Sequence, residues 1–327
     1  MKKGLLPLSF ILLCGGSLPA LAATCTTPAA STGFGDVSSF TVNTTASTVS
    51  TTAKVSCGSG TLVLLSGDYI SLQLTSASAV SGTRGALRLN DAIPVQLCTD
   101  QACASELTTG GTSVIYNRSQ LLGLNIGTGS QITFGLPLYL RTVPGAVVAA
   151  GTYTVTLNLG VTANICAGLL GVGNLCLGTT YSGTTNLPLT ATITIANDCT
   201  TITSPAINFG SAPLVSSFTR VSQSVNVICT KGSTYSVGMN NGIHAVGSQR
   251  YMASGTNLLA YEIYKGSDAV SRWGASVAAE RMQSTAANSV SSDGLTRTFN
   301  YNAQVLASQA TPVAGSYSDT ITVDVSF

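Results

Sequence analysis

The feature that most constrains this chain is that it repeats itself. Cys25 is followed nine residues later by Phe34-Gly35, and Cys199 is followed ten residues later by Phe209-Gly210. Each half then carries Ser-Ser-Phe-Thr, at residues 38–41 and 216–219, a Val/Thr/Ser stretch, and a second cysteine, Cys57 or Cys229. Downstream, Thr133-Phe134 precedes Ala150-Gly151-Thr152-Tyr153, and Thr298-Phe299 precedes Ala314-Gly315-Ser316-Tyr317, with Phe-to-Tyr spacings of 19 and 18 residues. Matches that keep their order read as two copies of one unit of about 130 residues, the first carrying insertions.

Each unit reads as strands. Residues 154–159 run Thr-Val-Thr-Leu-Asn-Leu and residues 320–327 run Thr-Ile-Thr-Val-Asp-Val-Ser-Phe. Alternation of apolar and polar residues with a period of two, rich in β-branched side chains and bounded by Gly and Ser, is the signal of a half-buried strand. No segment offers a charged amphipathic helix. The expected fold is all-β, two immunoglobulin-like β-sandwich domains, the second lacking its final strand.

The N-terminus carries an export signal. Met1-Lys2-Lys3 is a short positive segment, Leu5 to Leu13 an apolar core, and Ala20-Leu21-Ala22 a small-x-small cleavage pattern. Residues 1–22 therefore read as a signal peptide cut before Ala23. Eight cysteines remain after cleavage, an even number that suits disulfides in an oxidising compartment. Proximity in sequence suggests Cys25–Cys57, Cys98–Cys103, Cys166–Cys176 and Cys199–Cys229, with other pairings open inside the first unit. Loss of Lys2 and Lys3 leaves twelve basic against twelve acidic residues, scattered singly, so no basic stripe exists for nucleic acid. Only 8% of residues are charged while 44% are hydrophobic, which excludes a charge-driven disordered chain.

Three strand-sized observations bear on function. The second unit ends inside its last alternating stretch, where Ile321, Val323, Val325 and Phe327 form an acceptor edge strand. The first unit continues through Cys166–Cys176 into residues 186–196, where Leu187, Leu189, Ala191, Ile193 and Ile195 share one face. Only Ala23 and Thr24 precede Cys25 after cleavage, so nothing comparable leads the first unit. The expected domains are residues 23–197, completed in cis by the strand at 186–196, and residues 198–327, a sandwich one strand short. An unpaired edge of that kind is an aggregation hazard unless another chain supplies a strand.

These residues carry a resemblance. Cys199, Phe209-Gly210, Cys229, Arg250-Tyr251, the run Leu259 to Tyr264, Trp273-Gly274 and the terminus Gly315 to Val323 resemble a spore coat protein U domain, the pilin module of archaic chaperone–usher pili. The whole chain resembles the two-domain tip adhesins of Csu-type pili. The resemblance implies a periplasmic chaperone that caps the open groove, an outer-membrane usher, and the N-terminal donor strand of the adjacent pilin as partners. It implies export through the periplasm to the cell surface, at the pilus tip. A subunit that accepts a strand but has none to donate ends its fibre.

Insertions in the first unit supply candidate binding loops. They are Leu62, Val63, Leu64 and Leu65; Leu121, Leu122, Leu124 and Ile126; and Leu169, Leu170, Val172 and Leu175 between Cys166 and Cys176. In an up-and-down sandwich these connections share one pole, and the expected ligand is a hydrophobic abiotic or host surface. The competing reading makes Leu62–Leu65 a buried strand and the Leu121 segment core. A glycan-binding adhesin and a non-adhesive structural cap or coat protein are the alternative functions. No enzyme, cofactor or metal is expected: the single histidine is His244, no Gly-x-Ser-x-Gly occurs, and Glu262, Glu280 and Asp268 are isolated carboxylates.

Overall fold

The computed structural model describes residues 23–327 except Thr61, residues 169–175 and Leu177. The candidate signal peptide, residues 1–22, lies outside the described residues. Unit one contains β1 (Ala30–Ser38), β2 (Thr48–Ser59), β3 (Tyr69–Ala77), β4 (Val80–Ser81), β5 (Arg84–Arg88), β6 (Ala92–Cys98), β7 (Glu106–Leu107), β8 (Val114–Asn117), β9 (Gln131–Thr142), β10 (Gly151–Gly168) and β11 (Gly178–Ala196). Two short helices, α1 (Ser39–Thr44) and α2 (Arg118–Leu124), sit between strands. Unit two contains β12 (Cys199–Thr203), β13 (Val221–Cys229), β14 (Ser236–Met239), β15 (Arg250–Ser254), β16 (Asn257–Lys265), β17 (Met282–Gln283), β18 (Ser289–Val290), β19 (Thr296–Val305) and β20 (Val323–Ser326). The all-β expectation holds.

The two units close their cores differently. Unit one is a single hydrogen-bonded system in the order β1-β11-β10-β5-β6-β9-β2, with β3 joining β10 to β8. Its continuity comes from β10, which pairs with β5 at Thr154 and with β3 from Leu157 onward, so one strand serves both layers. The ends of the path meet where Thr26 and Ser56 exchange backbone hydrogen bonds of 2.8 and 2.9 Å beside the Cys25–Cys57 disulfide. Unit two splits into β12-β13-β19-β16-β15, with β18 on β19, and a smaller sheet β17-β14-β20. Between them lie Trp273, Phe299, Tyr301, Val225, Val237 and Ile263, all buried. The Trp273 indole N–H donates to the Val237 carbonyl at 2.9 Å, which removes the cost of burying that polar atom.

The repeat in the sequence is a repeat in geometry. Cys25–Cys57 and Cys199–Cys229 tie corresponding segments, with Cα separations of 4.2 and 3.9 Å. Gly35 and Gly210 both adopt φ of 74°, a left-handed turn that a side chain strains. Tyr153 donates its hydroxyl to the Ala149 carbonyl at 2.9 Å and Tyr317 to the Val313 carbonyl at 2.8 Å. Both are tyrosine corners, which pin the start of a strand to the turn before it. Cys98 is bonded to Cys103 and Cys166 to Cys176.

The joint between units is built rather than floppy. Lys231 reaches Asp91 at 2.5 Å, and the Ser39 and Thr230 hydroxyls, both buried, lie 3.0 Å apart. Ser38 donates to Asp198 at 2.9 Å, and Ala149 forms a parallel bridge with Lys231. Burial raises the Asp91 carboxyl, but the Lys231 ammonium and the Ala149 amide outweigh it and hold the group below its ordinary value. From Gly151 beside this joint, β10 runs eighteen residues to Gly168. At about 3.3 Å per residue its far end lies on the order of 55 Å away along the strand.

Candidate functional site

Two sites emerge, a groove in unit two and a pole of loops on unit one. The groove is understood from its filled counterpart. In unit one, β11 lies between β1, to which it is parallel from Ala30↔Leu189 to Ser38↔Ala196, and β10, to which it is antiparallel. Leu187, Leu189, Ala191, Ile193 and Ile195 all point inward and are buried in the core. Each large apolar side chain so placed contributes roughly 1.5–3 kcal/mol.

Unit two has the two walls without the strand. Its segment around Phe209-Gly210 corresponds to the β1 region, and the stretch from Tyr317 corresponds to β10. Between residues 204–209 and 317–323 opens a cavity of about 380 Å³, lined by Ile207, Phe209, Met252, Tyr261, Ile321 and Val323 among others. Ile207, Phe209, Met252, Ile321, Val323 and Val325 pack against the unit-two core yet remain half-exposed. On the other side β20 is bonded to β14, and among the described residues no strand pairs with its free edge.

Alternation predicts a strand over residues 320–327, and the structure shortens it. Only Val323–Ser326 is strand, so Ile321 stands ahead of it. The preceding chain is tied down at single points: Ser318 exchanges hydrogen bonds with Ala253, and the Asn240 amide side chain and backbone hold Thr322. The ladder stops where its partner stops, since β14 ends at Met239 opposite Val323. Phe327 does not line the groove; it is 62% exposed, with its ring 6.2 Å from that of Tyr235.

One polar group in this wall escaped the sequence reading. The Asp319 carboxylate accepts from the Tyr261 hydroxyl at 2.6 Å and from the backbone amides of Ile243 and His244 at 3.0 and 3.3 Å. Burial, then the bond to Asp319, pushes the Tyr261 hydroxyl well above the ordinary tyrosine value, so it remains a donor. The available signal was a break in pattern. Where the first copy reads Tyr153-x-Val155-x-Leu157, the second reads Tyr317-x-Asp319-x-Ile321. His244 therefore takes part through its backbone, and Glu262 and Glu280 are bridged by Arg272 at 2.9 and 2.6 Å. Glu262 is also paired with the buried Arg250, whose guanidinium donates to the carbonyls of Met239, Asn240 and Trp273. Buried charges so bonded make a structural network.

At the far end of β10 the first two predicted loop segments meet beside Cys166 and Ala167, where the third begins. The Gly60 amide donates to Ser130 at 2.6 Å, joining the first segment to the second. Leu62 bridges to Ala167, and the buried Asp68 carboxylate accepts from the Leu65 and Cys166 amides at 2.9 and 3.2 Å, joining the first to the end of β10. Their exposure is uneven. Leu122 is 57% and Ile126 49% exposed, while Leu62, Val63, Leu65 and Leu124 are half-buried. Leu64 and Leu121, expected at the binding surface, are instead core, at 5% and 0% exposed. Leu121 is drawn inward because Arg118–Leu124 is helical, started by a capping box in which Asn117 accepts from the Gln120 amide and Gln120 accepts from the Asn117 amide. Asn-x-x-Gln was readable in the sequence as that cap. Ile115 on β8 is an exposed apolar residue that the sequence reading missed; its neighbour Tyr116 takes the inward position. Leu169, Leu170, Val172 and Leu175 lie outside the described residues.

Two disulfide-stapled β units, one with its groove filled from within and one open, have the fold of a chaperone–usher pilus subunit. Residues 15–160 and 185–324 each match the Spore Coat Protein U domain, and the chain belongs to that family, whose pilus members are structural and adhesive subunits and not enzymes. The fold is similar to the CsuC–CsuE chaperone–tip adhesion subunit pre-assembly complex of the archaic chaperone–usher Csu pili of Acinetobacter baumannii, with 21% identity, a TM-score of 0.57, and coverage of 93% of this chain and 100% of that one. Weaker likenesses, each at 11% identity and a TM-score of 0.37 over 93% of this chain, are the CupB6 tip adhesin of Pseudomonas aeruginosa, 94% covered, and CfaE, the adhesive subunit of the CFA/I fimbria of enterotoxigenic Escherichia coli, 93% covered. Among curated proteins, none matches this sequence.

Proposed function

We propose that this chain is the tip adhesin of an archaic chaperone–usher pilus, with an adhesin domain over residues 23–197 and a pilin domain over residues 198–327. The observation that carries the reading is the place of residues 186–196. The second family match starts at residue 185, so this strand leads the second copy in sequence, yet it is built into unit one between β1 and β10. A strand so used is not free to enter a neighbouring subunit. Unit two, in contrast, keeps an open groove of matching form and accepts the donor strand of the adjacent pilin there. Until then a periplasmic chaperone covers the groove and an outer-membrane usher exchanges it; the Acinetobacter relative is itself described as a chaperone–tip subunit complex. The protein is exported through the periplasm to the cell surface.

Attachment belongs to the pole at the end of β10, away from the joint with unit two. Leu122 and Ile126 stand out from buried roots, and apolar contact with a hydrophobic surface is non-directional, so it needs no shaped pocket. Many pili per cell add avidity and promote biofilm formation. Two measurements test the proposal. Immunogold on native pili should label fibre ends; label along the shaft would reject the tip assignment. The pair Leu122→Ser and Ile126→Ser should cut cell attachment to plastic severalfold with normal piliation, and unchanged attachment would remove the loops from the mechanism.

A further inference from the structure

The acceptor groove is not uniformly apolar, and its polar spot falls where strand register is set. In unit one the inward pairs are Tyr153↔Ile193, Val155↔Ala191, Leu157↔Leu189 and Leu159↔Leu187. Counted from the matched tyrosine corners, Tyr317, Asp319, Ile321 and Val323 occupy the places of Tyr153, Val155, Leu157 and Leu159. Asp319 thus replaces the valine that faces Ala191, and it lines the open cavity. A carboxylate offers about four acceptor positions. Tyr261 and the Ile243 and His244 amides fill three of them. The remainder faces the open cavity, which solvent water can enter. A strand laid over it displaces that water, and a large apolar side chain opposite Asp319 would bury the charge against methyl groups, which is costly without a compensating hydrogen bond.

We propose that Asp319, anchored by Tyr261, is a specificity determinant of the groove: the occupying strand presents a small or hydrogen-bond-donating residue opposite it, and a large apolar residue there is rejected. This rests on the acceptor reading of unit two. The rule also fixes register, since sliding the strand by two residues brings a bulky inward residue against the carboxylate.

The test uses the full chain and three synthetic peptides with the sequence of residues 186–196: unaltered, Ala191→Thr and Ala191→Leu. Trp273 is the only tryptophan of the chain and is buried in unit two, so its fluorescence reports on that unit alone. With the unsubstituted chain the threonine peptide should bind most tightly and the leucine peptide about tenfold more weakly than it. In the Asp319→Val chain that preference should reverse, and in Asp319→Asn, which keeps the shape and loses the charge, the leucine penalty should shrink. An identical order of affinities in all three chains would overturn the role of Asp319 while leaving the acceptor groove intact. Failure of every peptide to shift the Trp273 signal of the unsubstituted chain would overturn the acceptor reading itself. Should Asp319→Val not fold, the Asn chain alone decides, since an unshrunken leucine penalty there rejects the proposal.

Discussion

Unit one and unit two begin from the same pattern and end in different physical states. Both have the disulfide, the left-handed glycine and the tyrosine corner in the same order. In unit one Tyr153 is fully buried beneath β11, whereas in unit two Tyr317 stays partly exposed over an open groove. The difference is a single strand. It shows that a repeated sequence fixes the walls of a sandwich, while the availability of one more extended segment decides whether those walls meet a core or solvent.

The most drastic way to break the comparison is to remove the strand. Deleting residues 186–196 should unfold unit one, because Leu187, Leu189, Ile193 and Ile195 together contribute several kcal/mol that a domain of this size cannot lose. Limited proteolysis should cut throughout residues 23–185 of that variant, and persistence of a resistant core would contradict the account. Conversely, the synthetic strand should complete unit two. A peptide of residues 186–196 at a hundred times its Kd stabilises by about 2.7 kcal/mol. The Trp273 melting transition should rise by several degrees while the transition of unit one stays in place.

Point substitutions sharpen the contrast. Leu189→Ala should cost about 3 kcal/mol as a cavity in a closed core. Ile321→Ala, at the matching wall of the open groove, should cost about 1 kcal/mol in the free chain, since its side chain still touches water. Denaturant melts of the two variants compare them, and equal costs would mean that the groove is closed in solution. Among the tyrosine corners, Tyr153→Phe should cost about 1 kcal/mol by leaving the half-buried Ala149 carbonyl without this donor, and Tyr317→Phe about 0.5 kcal/mol.

The smallest effect concerns the joint. Asp91 in the folded chain titrates below its unfolded value, so its contribution is present above the ordinary carboxylate range and is lost as pH falls through the depressed folded value. Lys231 is 39% exposed and the pair is partly screened, so the contribution is below about 1 kcal/mol. Small-angle scattering should show unit one and unit two in one fixed arrangement at neutral pH and a broader set once the pH falls below the ordinary carboxylate range. Lys231→Ala should reproduce that broadening at neutral pH.

Much of this was legible without coordinates, and the reasons are local. Alternation at residues 186–196 assigns Leu187 to Ile195 to one face whatever the partner, because side chains in a strand alternate by geometry. Ordered spacing between Cys, Phe-Gly and Tyr revealed the duplication because each motif performs a local task, a staple, a turn or a corner. What was misjudged depended on neighbours distant in sequence. Leu64 and Leu121 read as exposed loop residues and are core, since a capped helical turn and a bridge from Leu62 to Ala167 fold their segments back. Asp319 drew no notice because nothing near it in the chain reveals that Tyr261 and the loop at Ile243 point to it.

The sequence by itself determined the unit, its repetition, the strand parity and the segment able to complete one copy. Tertiary structure alone decided which strands flank that segment and which side chains water still reaches. Pairing between strands and burial against a core are contacts between residues far apart in the chain, and no local pattern states which strands will lie beside a segment or which side chains they will cover.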